Sequence, residues 1–345
     1  MKKNRKEQKK MQFLFSPPLL CYNLTNMITV ILCSYNGSSY LRAQLDSILN
    51  QNAGGFRVQV FDDASTDATA EILREYRSRY PDRFSFTVRE QPTGSATRNF
   101  LKAIYEAGDS DYYMLCDQDD IWHRSKIRKM LAVMKIHESA YEDGTPVLVH
   151  SDARVVNDRG EVIASSFIRF AGLSPELTGL NHMLIQNQVT GAACIFNKAM
   201  RDVLVSVRMP EHAFVHDHWI GITAAAFGKI FYLNETLYDY RQHGSNVLGA
   251  KKAGMVKETL RRLGLGEESK AEIDAITARE FAGVFAQAAE FLELYGGKLD
   301  RRQAAMVKAF SSIPRMKKAE KIATVLRYGF TFNKFYRAVG ECIFI

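Results

Sequence analysis

Asp111-Tyr-Tyr-Met-Leu-Cys-Asp-Gln-Asp-Asp-Ile-Trp122 decides how this chain is read. The run from Tyr112 to Cys116 is short, aromatic and apolar, the composition of a buried strand. It ends abruptly in Asp117, Asp119 and Asp120. Carboxylates crowded beyond a strand end repel one another unless positive charge sits among them. A divalent cation meets that need, because hard cations such as Mg²⁺ take oxygen ligands and often bridge to substrate phosphates. A solvated acidic turn that caps the next helix is the competing reading. The flanking chain has to decide between them.

Upstream, Met27 to Cys33 is a near-continuous β-branched and apolar run, as in a strand buried on both faces. Ser34-Tyr35-Asn36-Gly37 breaks it with turn chemistry. Ser38 or Ser39 stands where it would cap a helix with Leu41, Leu45, Ile48 and Leu49 on one face. Phe56 to Phe61 reads as a second strand. It ends in Asp62-Asp-Ala-Ser-Thr-Asp67, where Ser65 or Thr66 would cap a helix reaching Tyr80. Phe84 to Val88 is a third strand, and Pro92-Thr-Gly-Ser95 opens a helix through Ala107. The strand ending at Cys116 is the fourth, and a helix over Arg124 to Ser139 follows. Strands alternating with helices through short connections predict a parallel sheet covered on both faces. Such sheets bind ligands beyond the carboxyl ends of their strands. Ser34-Tyr35-Asn36, Asp62-Asp63 and Asp117 to Asp120 all stand at such ends, so they converge on one edge.

Downstream of residue 146 the pattern changes. Val147 to Val149, Arg154 to Val156 and Glu161 to Ala164 are short strand candidates around an Asn157-Asp-Arg-Gly160 turn. Val189 to Phe196 is another apolar run, and His216-Asp-His-Trp219 opens an apolar helix through Phe227. Ile230 to Leu233 and Thr236 to Tyr240 read as short strands before Arg241-Gln-His-Gly-Ser-Asn246. From residue 250 the chain is helical and basic.

The 345 residues carry a net charge of +8, and its placement is informative. Residues 1–10 hold six Lys/Arg and one Glu, or +5; residues 250–345 hold 18 Lys/Arg and 11 Asp/Glu, or +7; residues 11–26 hold none. Residues 27–249 therefore carry 8 − 5 − 7 = −4. A mildly acidic centre argues against a nucleic-acid-binding face, whereas basic ends suit contact with an anionic membrane. In the tail, Lys317, Lys318, Lys321, Arg327, Lys334 and Arg337 alternate with apolar residues such as Ile322, Val325 and Leu326, which fits a basic amphipathic helix on a membrane or a helix packed on the catalytic domain. Five scattered cysteines without C-x-x-C spacing read as reduced thiols of a cytoplasmic protein. Residues 1–26, with Pro17-Pro18 inside a short apolar stretch, read as a disordered extension or a translation start placed too early. No stretch approaches the ~18 apolar residues of a membrane-spanning helix.

The chemistry narrows by elimination. The turn after the first strand lacks the G-x-G-x-x-G of a dinucleotide site, and no Walker loop or nucleotidyltransferase loop is present. What remains is a nucleotide-binding sheet with acids at two strand ends. Asp62 or Asp63 could accept hydrogen bonds from a base or ribose, and Asp117 and Asp119 could hold a cation on a diphosphate. That combination suits transfer from a nucleoside-diphosphate sugar.

At this point the chain resembles a family 2 glycosyltransferase of the GT-A fold, and most of all the bacterial α-L-rhamnosyltransferases of cell-wall and O-antigen polysaccharide synthesis. The carriers are Ile31-Leu-Cys-Ser-Tyr-Asn-Gly37, Asp62-Asp-Ala-Ser-Thr-Asp67, Asp117-Gln-Asp-Asp-Ile-Trp122, Val189-Thr-Gly191, His216-Asp-His-Trp219 and Tyr240-Arg-Gln-His-Gly-Ser-Asn246, in the family's order. The resemblance implies an α/β, Rossmann-like, mainly parallel sheet over residues 27–250, with residues 251–345 as a helical extension. It implies that Cys33 and Tyr35 line the nucleotide pocket, although the family more often has Thr or Ser at the position of Cys33. Asp63 would bond the base with Asp62 nearby, Asp117 would contact the ribose, and Asp119 would ligate Mg²⁺ or Mn²⁺. Asp217 would be the general base of an inverting transfer, with His218 and Trp219 near the acceptor. Arg241 would neutralise the diphosphate, His243 would do the same or complete the metal shell, and Arg98 would face the donor. The implied substrates are dTDP-L-rhamnose and a lipid-linked saccharide. A UDP-hexose or UDP-N-acetylhexosamine enzyme of the same fold, or a non-catalytic sugar-nucleotide binder, is the alternative.

Overall fold

A computed structural model of the chain describes residues 27–243 and 270–330. The expected extension at 1–26, Gly244 to Asn246 of the last motif, and Lys334 and Arg337 lie outside the described residues.

β1 (Ile28–Ser34) is buried at every position, as its unbroken apolar run predicts. Val30 and Leu32 face one core, Ile31 and Cys33 the other. β2 (Phe56–Asp62), β3 (Phe84–Val88) and β4 (Tyr112–Cys116) join it in the order β3-β2-β1-β4, all parallel. The crossovers run through α1 (Leu41–Leu49), α2 (Thr69–Arg79) and α3 (Ala96–Glu106). Register then sets the site. Ser34 is level with Asp62, and Leu32 with Cys116, so the loops after β1, β2 and β4 leave the sheet side by side.

The second half extends the sheet with mixed polarity. β8 (Cys194–Asn197) pairs antiparallel with β4, and β6 (Val147–Val156) antiparallel with β8. β9 (Lys229–Arg241) runs parallel to β6, and β5 (Ile121–Trp122) caps it antiparallel. β7 (Val162–Ala164) folds back on β6. The two short strands expected around residue 150 are one strand, and so are the two expected around residue 235. Irregular register at Ser151–Asp152 and Asp152–Arg154 bends the pair, which is what interrupts the apolar pattern in sequence. The run expected to be extended from Val189 begins as a 3₁₀ turn over Gly191–Ala193, and its strand starts at Cys194.

The expected caps divide. Ser95 caps α3, accepting from Arg98 N at 3.2 Å. Ser38 and Ser39 do not cap α1, whose N-cap is Tyr40, and α2 is preceded by Ala68. The loop polar groups are used instead to hold the loops to one another.

α1, α2 and α4 (Lys126–Glu138) cover one face of the sheet. The other is covered by α3, α6 (Leu180–Ile185), α7 (Lys198–Val205) and α8 (His216–Phe227), with α5 (Phe167–Ala171) beside β6. α9 (Lys270–Tyr295), α10 (Arg301–Ser312) and α11 (Lys318–Tyr328) pack on this second layer. Phe291, Tyr295, Phe310, Val325 and Phe330 are buried in the same cluster as Trp219 and Met183. The C-terminal helices are thus built on the outer side of the helix that carries Asp217. Among the described residues no helix is long and apolar enough to cross a membrane.

Candidate active site

The loop after β1 is tied to the end of β4 by a side-chain amide. Gln118 Oε1 accepts from Tyr35 N at 2.9 Å, and Gln118 Nε2 donates to the Tyr35 carbonyl at 3.1 Å. A Cβ on Gly37 would fall 2.1 Å from Gln118 Oε1, so glycine permits this approach. Asn36 takes a left-handed φ of 47°, which asparagine tolerates, and its Oδ1 accepts from Thr66 N at 2.8 Å. The loops after β1, β2 and β4 are therefore mutually braced.

The neighbouring acids Asp62 and Asp63 have different work. Asp62 is fully buried, and its carboxylate accepts from Ser34 Oγ (2.7 Å), Ser65 Oγ (2.6 Å) and Ser65 N (2.9 Å). The expected nucleotide residue Asp62 is thus engaged in closing the loop between the ends of β1 and β2. Asp63 accepts from Thr93 N and Thr93 Oγ1, each at 2.8 Å, and lies 3.7 Å from Arg89 Nε. Tyr35 is 53% exposed beside this loop, an open ring at the strand end. Cys33 is buried at the end of β1, where burial and then the Asp117 carboxylate push its thiol well above the usual range.

Asp117, Asp119 and Asp120 diverge after β4. Burial, then Asp119 and Asp217, push Asp117 up to about 7. Asp120 is fully buried; Oδ1 accepts from Arg241 N at 3.3 Å, while Oδ2 has no hydrogen-bond partner. Asp119 Oδ2 is 2.8 Å from His243 Nε2, whose ring stacks on Tyr40 with centroids 4.6 Å apart. Arg241 binds the Asp119 carbonyl through Nε (3.0 Å) and the Asp158 carbonyl through Nη1 (2.8 Å). The end of β9 thus delivers Arg241 and His243 to the end of β4.

Asp217 lies in the first turn of α8, where helix amides favour a carboxylate. Its Oδ1 accepts from Asn187 Nδ2 at 2.9 Å and its Oδ2 from Gly191 N at 3.0 Å. Burial pushes the group up to about 6 despite these bonds. A Cβ on Gly191 would stand 2.6 Å from His216 Nε2 and 3.4 Å from Asp217 Cβ, which explains the glycine of the Val189-Thr-Gly191 motif. His216 is buried and stacks on Phe100, with centroids 4.1 Å apart.

Three expected site residues stand elsewhere. His218 is buried with Nε2 2.6 Å from the Met183 carbonyl, and Trp219 is 1% exposed against Phe291 and Tyr295. Both face the packed interior while Asp217 is partly exposed, because successive residues of a helix point to different sides. Arg98 is exposed and lines a cavity of about 160 Å³ with Thr97, Leu101, Pro210 and Phe214; none of the strand-end carboxylates lines it.

The sequence reading passed over Gln118, Asn187 and Lys126. Lys126 is fully buried, with Nζ 2.5 Å from the Ala192 carbonyl. Its signal was present: Lys126, Met130 and Met134 follow i, i+4, i+8 spacing on the inward face of α4. A lysine on an apolar stripe is easily taken for a helix-end residue. Asn187 sits in a stretch without periodicity, and nothing local marks it.

This geometry agrees with what the chain is similar to. The model of the family "Glycosyl transferase family 2" matches residues 29–201, half of the chain. An uncharacterized protein of Mycobacterium tuberculosis, Rv1520, is 28% identical over 300 residues, covering 84% of this chain and 81% of the relative. The dTDP-rhamnosyl transferase RfbG of Shigella flexneri is 23% identical over 238 residues, covering 68% of this chain and 78% of the relative. Residues 1–349 of S. aureus TarS superpose with a TM-score of 0.50 at 17% identity, over 92% of this chain and 88% of that one. The architecture is the GT-A fold, and the chain belongs to glycosyl transferase family 2.

Proposed function

We propose that the chain is an inverting transferase that moves L-rhamnose from dTDP-L-rhamnose to a lipid-linked polysaccharide acceptor, with Asp217 as general base. One observation carries this reading. Asp217 is held from two sides by Asn187 Nδ2 and Gly191 N, and the Gly191–Ala193 turn that supplies this amide packs on β4, the strand that ends in Asp117. A base and a diphosphate edge on one rim are what a single displacement needs. The acceptor oxygen attacks the anomeric carbon as the bond from that carbon to the diphosphate oxygen breaks. The electron pair leaves with the diphosphate, and the acceptor proton goes to Asp217. A carboxylate raised to about 6 is ionised at neutral pH yet basic enough to take it.

In this reading Asp63 receives the base of the nucleotide, Tyr35 and Cys33 flank it, and Asp117 takes the ribose. Arg241 adds positive charge at the diphosphate. Asp119 Oδ2 and His243 Nε2, 2.8 Å apart, form an oxygen–nitrogen pair suited to Mg²⁺ or Mn²⁺, which characteristically keep few protein ligands and bind substrate phosphates as well. Among the described residues no group of three His, Cys, Asp or Glu stands ready to cage a cation, so the pair suits an ion that arrives with the donor. When bound, such an ion would stabilise the negative charge of the departing diphosphate.

The rhamnosyl donor is supported by the name of the RfbG relative. Work at the inner face of a membrane is supported by charge. Residues 298–330 hold nine Lys/Arg and two Asp/Glu, and Leu326 on α11 is 68% exposed. Val325 of the same helix is buried, so contact with anionic lipid would be through this basic outer side.

A thermal-shift screen of dTDP-, UDP- and GDP-sugars with Mn²⁺ tests the donor, because a ligand that binds only the folded chain raises its melting point. The largest shift is expected with dTDP-L-rhamnose. A larger shift with a UDP-hexose or UDP-N-acetylhexosamine would reassign the donor, and none with any nucleotide sugar would refute the enzyme.

A further inference from the structure

α4 begins with a lysine that has no access to solvent. Lys126 is fully buried, and its Nζ lies 3.9 Å from the ring centroid of Trp122 and 4.1 Å from that of Tyr238. Its bond is to the Ala192 carbonyl at 2.5 Å. The charged and polar groups around it come from several elements: Asp117 and Asp120 beyond β4, Cys116 on β4 and Cys194 on β8. Burial pushes its ammonium down to about 8 in spite of these carboxylates.

A buried ammonium is costly, and a methionine of similar length would fill the same slot without desolvating a charge. Two geometric facts say what the charge holds. First, the ammonium sits over the ring of Trp122, in the short β5 strand that begins directly after Asp120, and over the ring of Tyr238, which pairs with Trp122 across β5 and β9. Second, the carbonyl that Lys126 binds belongs to the 3₁₀ turn Gly191–Ala193, and the amide of Gly191 in that turn donates to Asp217 Oδ2 at 3.0 Å. The amide and the carbonyl belong to adjacent residues of a three-residue turn. Moving Ala192 therefore moves the Gly191 N–H that aims Asp217. The same ammonium thus touches Trp122, just beyond the acidic end of β4, and the base-holding turn through Ala192.

We propose that Lys126 is a positioning residue that clamps the Gly191–Ala193 turn to the acidic end of β4, and so sets Asp217 at its distance from the diphosphate edge. This rests on Asp217 being the general base. It concerns how the two halves of the site are held in register, which the assignment of that base leaves open. A misplacement on the order of 1 Å in a reacting group costs up to about a hundredfold in rate.

The test is the Mn²⁺-dependent hydrolysis of whichever nucleotide sugar the wild type turns over, measured side by side for wild type, Lys126→Met and Asp217→Asn. Lys126→Met is expected to lower kcat at least about tenfold while donor KM stays within about threefold. A kcat within twofold of wild type, or a loss carried only by donor KM, overturns the proposal. Should Lys126→Met not fold, Lys126→Ala is assayed with n-propylamine, which should restore at least about fivefold of the lost kcat; absence of restoration overturns it equally. An active Asp217→Asn overturns the base assignment and the positioning role with it. An inactive Asp217→Asn beside a wild-type-like Lys126→Met overturns the role of Lys126 alone.

Discussion

His243 Nε2 stands 2.8 Å from Asp119 Oδ2, although 124 residues separate them in sequence. The ring is held before any ligand arrives, stacked on Tyr40 and carried by the end of β9. His243→Ala should therefore raise the Mn²⁺ concentration for half-maximal turnover by about 10- to 100-fold and leave the melting point nearly unchanged. Asp119→Ala should abolish the metal response. Metal titrations of donor hydrolysis report both.

Asp217 must be ionised to accept a proton, and its group is raised to about 6. Turnover should then rise with pH through about 6 and level off above it, falling about tenfold per unit on the acid side. Asn187→Ala removes a donor to the ionised form, so the rise should move to higher pH. A pH–rate profile of both proteins measures the shift, and a move to lower pH would contradict it.

Asp62 and Asp63 should separate by assay. Asp62→Ala strands the hydroxyls of Ser34 and Ser65 in the buried loop and should cost about 2–3 kcal/mol of stability. Asp63→Ala should cost less stability and more donor affinity. Urea unfolding and calorimetric donor titration of the two variants distinguish the roles.

Glu290 on α9 reaches under the loop before α8. It accepts from His212 N at 2.6 Å, from Glu211 N at 2.9 Å and from Arg208 Nη1 at 2.8 Å, and its side chain is 2% exposed. Glu290→Ala removes the acceptor shared by these partly exposed donors and should cost about 1–2 kcal/mol, read as a lower urea midpoint.

If the basic outer side of α11 meets lipid, reversing Lys317, Lys318 and Lys321 to glutamate should abolish co-sedimentation with phosphatidylglycerol vesicles at low salt. At ~1 kcal/mol per basic residue, three reversals weaken binding by well over tenfold. Turnover of soluble donor should be unaffected.

The first four strands were legible because their runs are continuous and end in turn residues, and their parallel pairing followed from short connections. The edge that carries Asp63 and Asp119 was legible for the same reason, since strand ends in a parallel sheet share one side; Asp217, on a helix, was marked only by the resemblance. β6 and β9 were read as fragments because their irregular pairing near Asp152 breaks the alternation that periodicity detects. Trp219 and His218 were assigned by adjacency to Asp217, yet neighbours on a helix face different ways, and α9 supplies the core that takes Trp219. The spacing of α4 marked Lys126 as inward-facing, but its bond to Ala192, like that of Asn187 to Asp217, could be recognised only in the fold.

The account stands most directly on the fate of the nucleotide sugar. Wild-type protein, Mn²⁺ and dTDP-L-rhamnose are followed by proton NMR for release of the nucleoside diphosphate and for the anomer first formed. The account predicts release by the wild type with inverted configuration, and loss of at least about a hundredfold in Asp217→Asn. Undiminished release by Asp217→Asn, or a product of retained configuration, would contradict it.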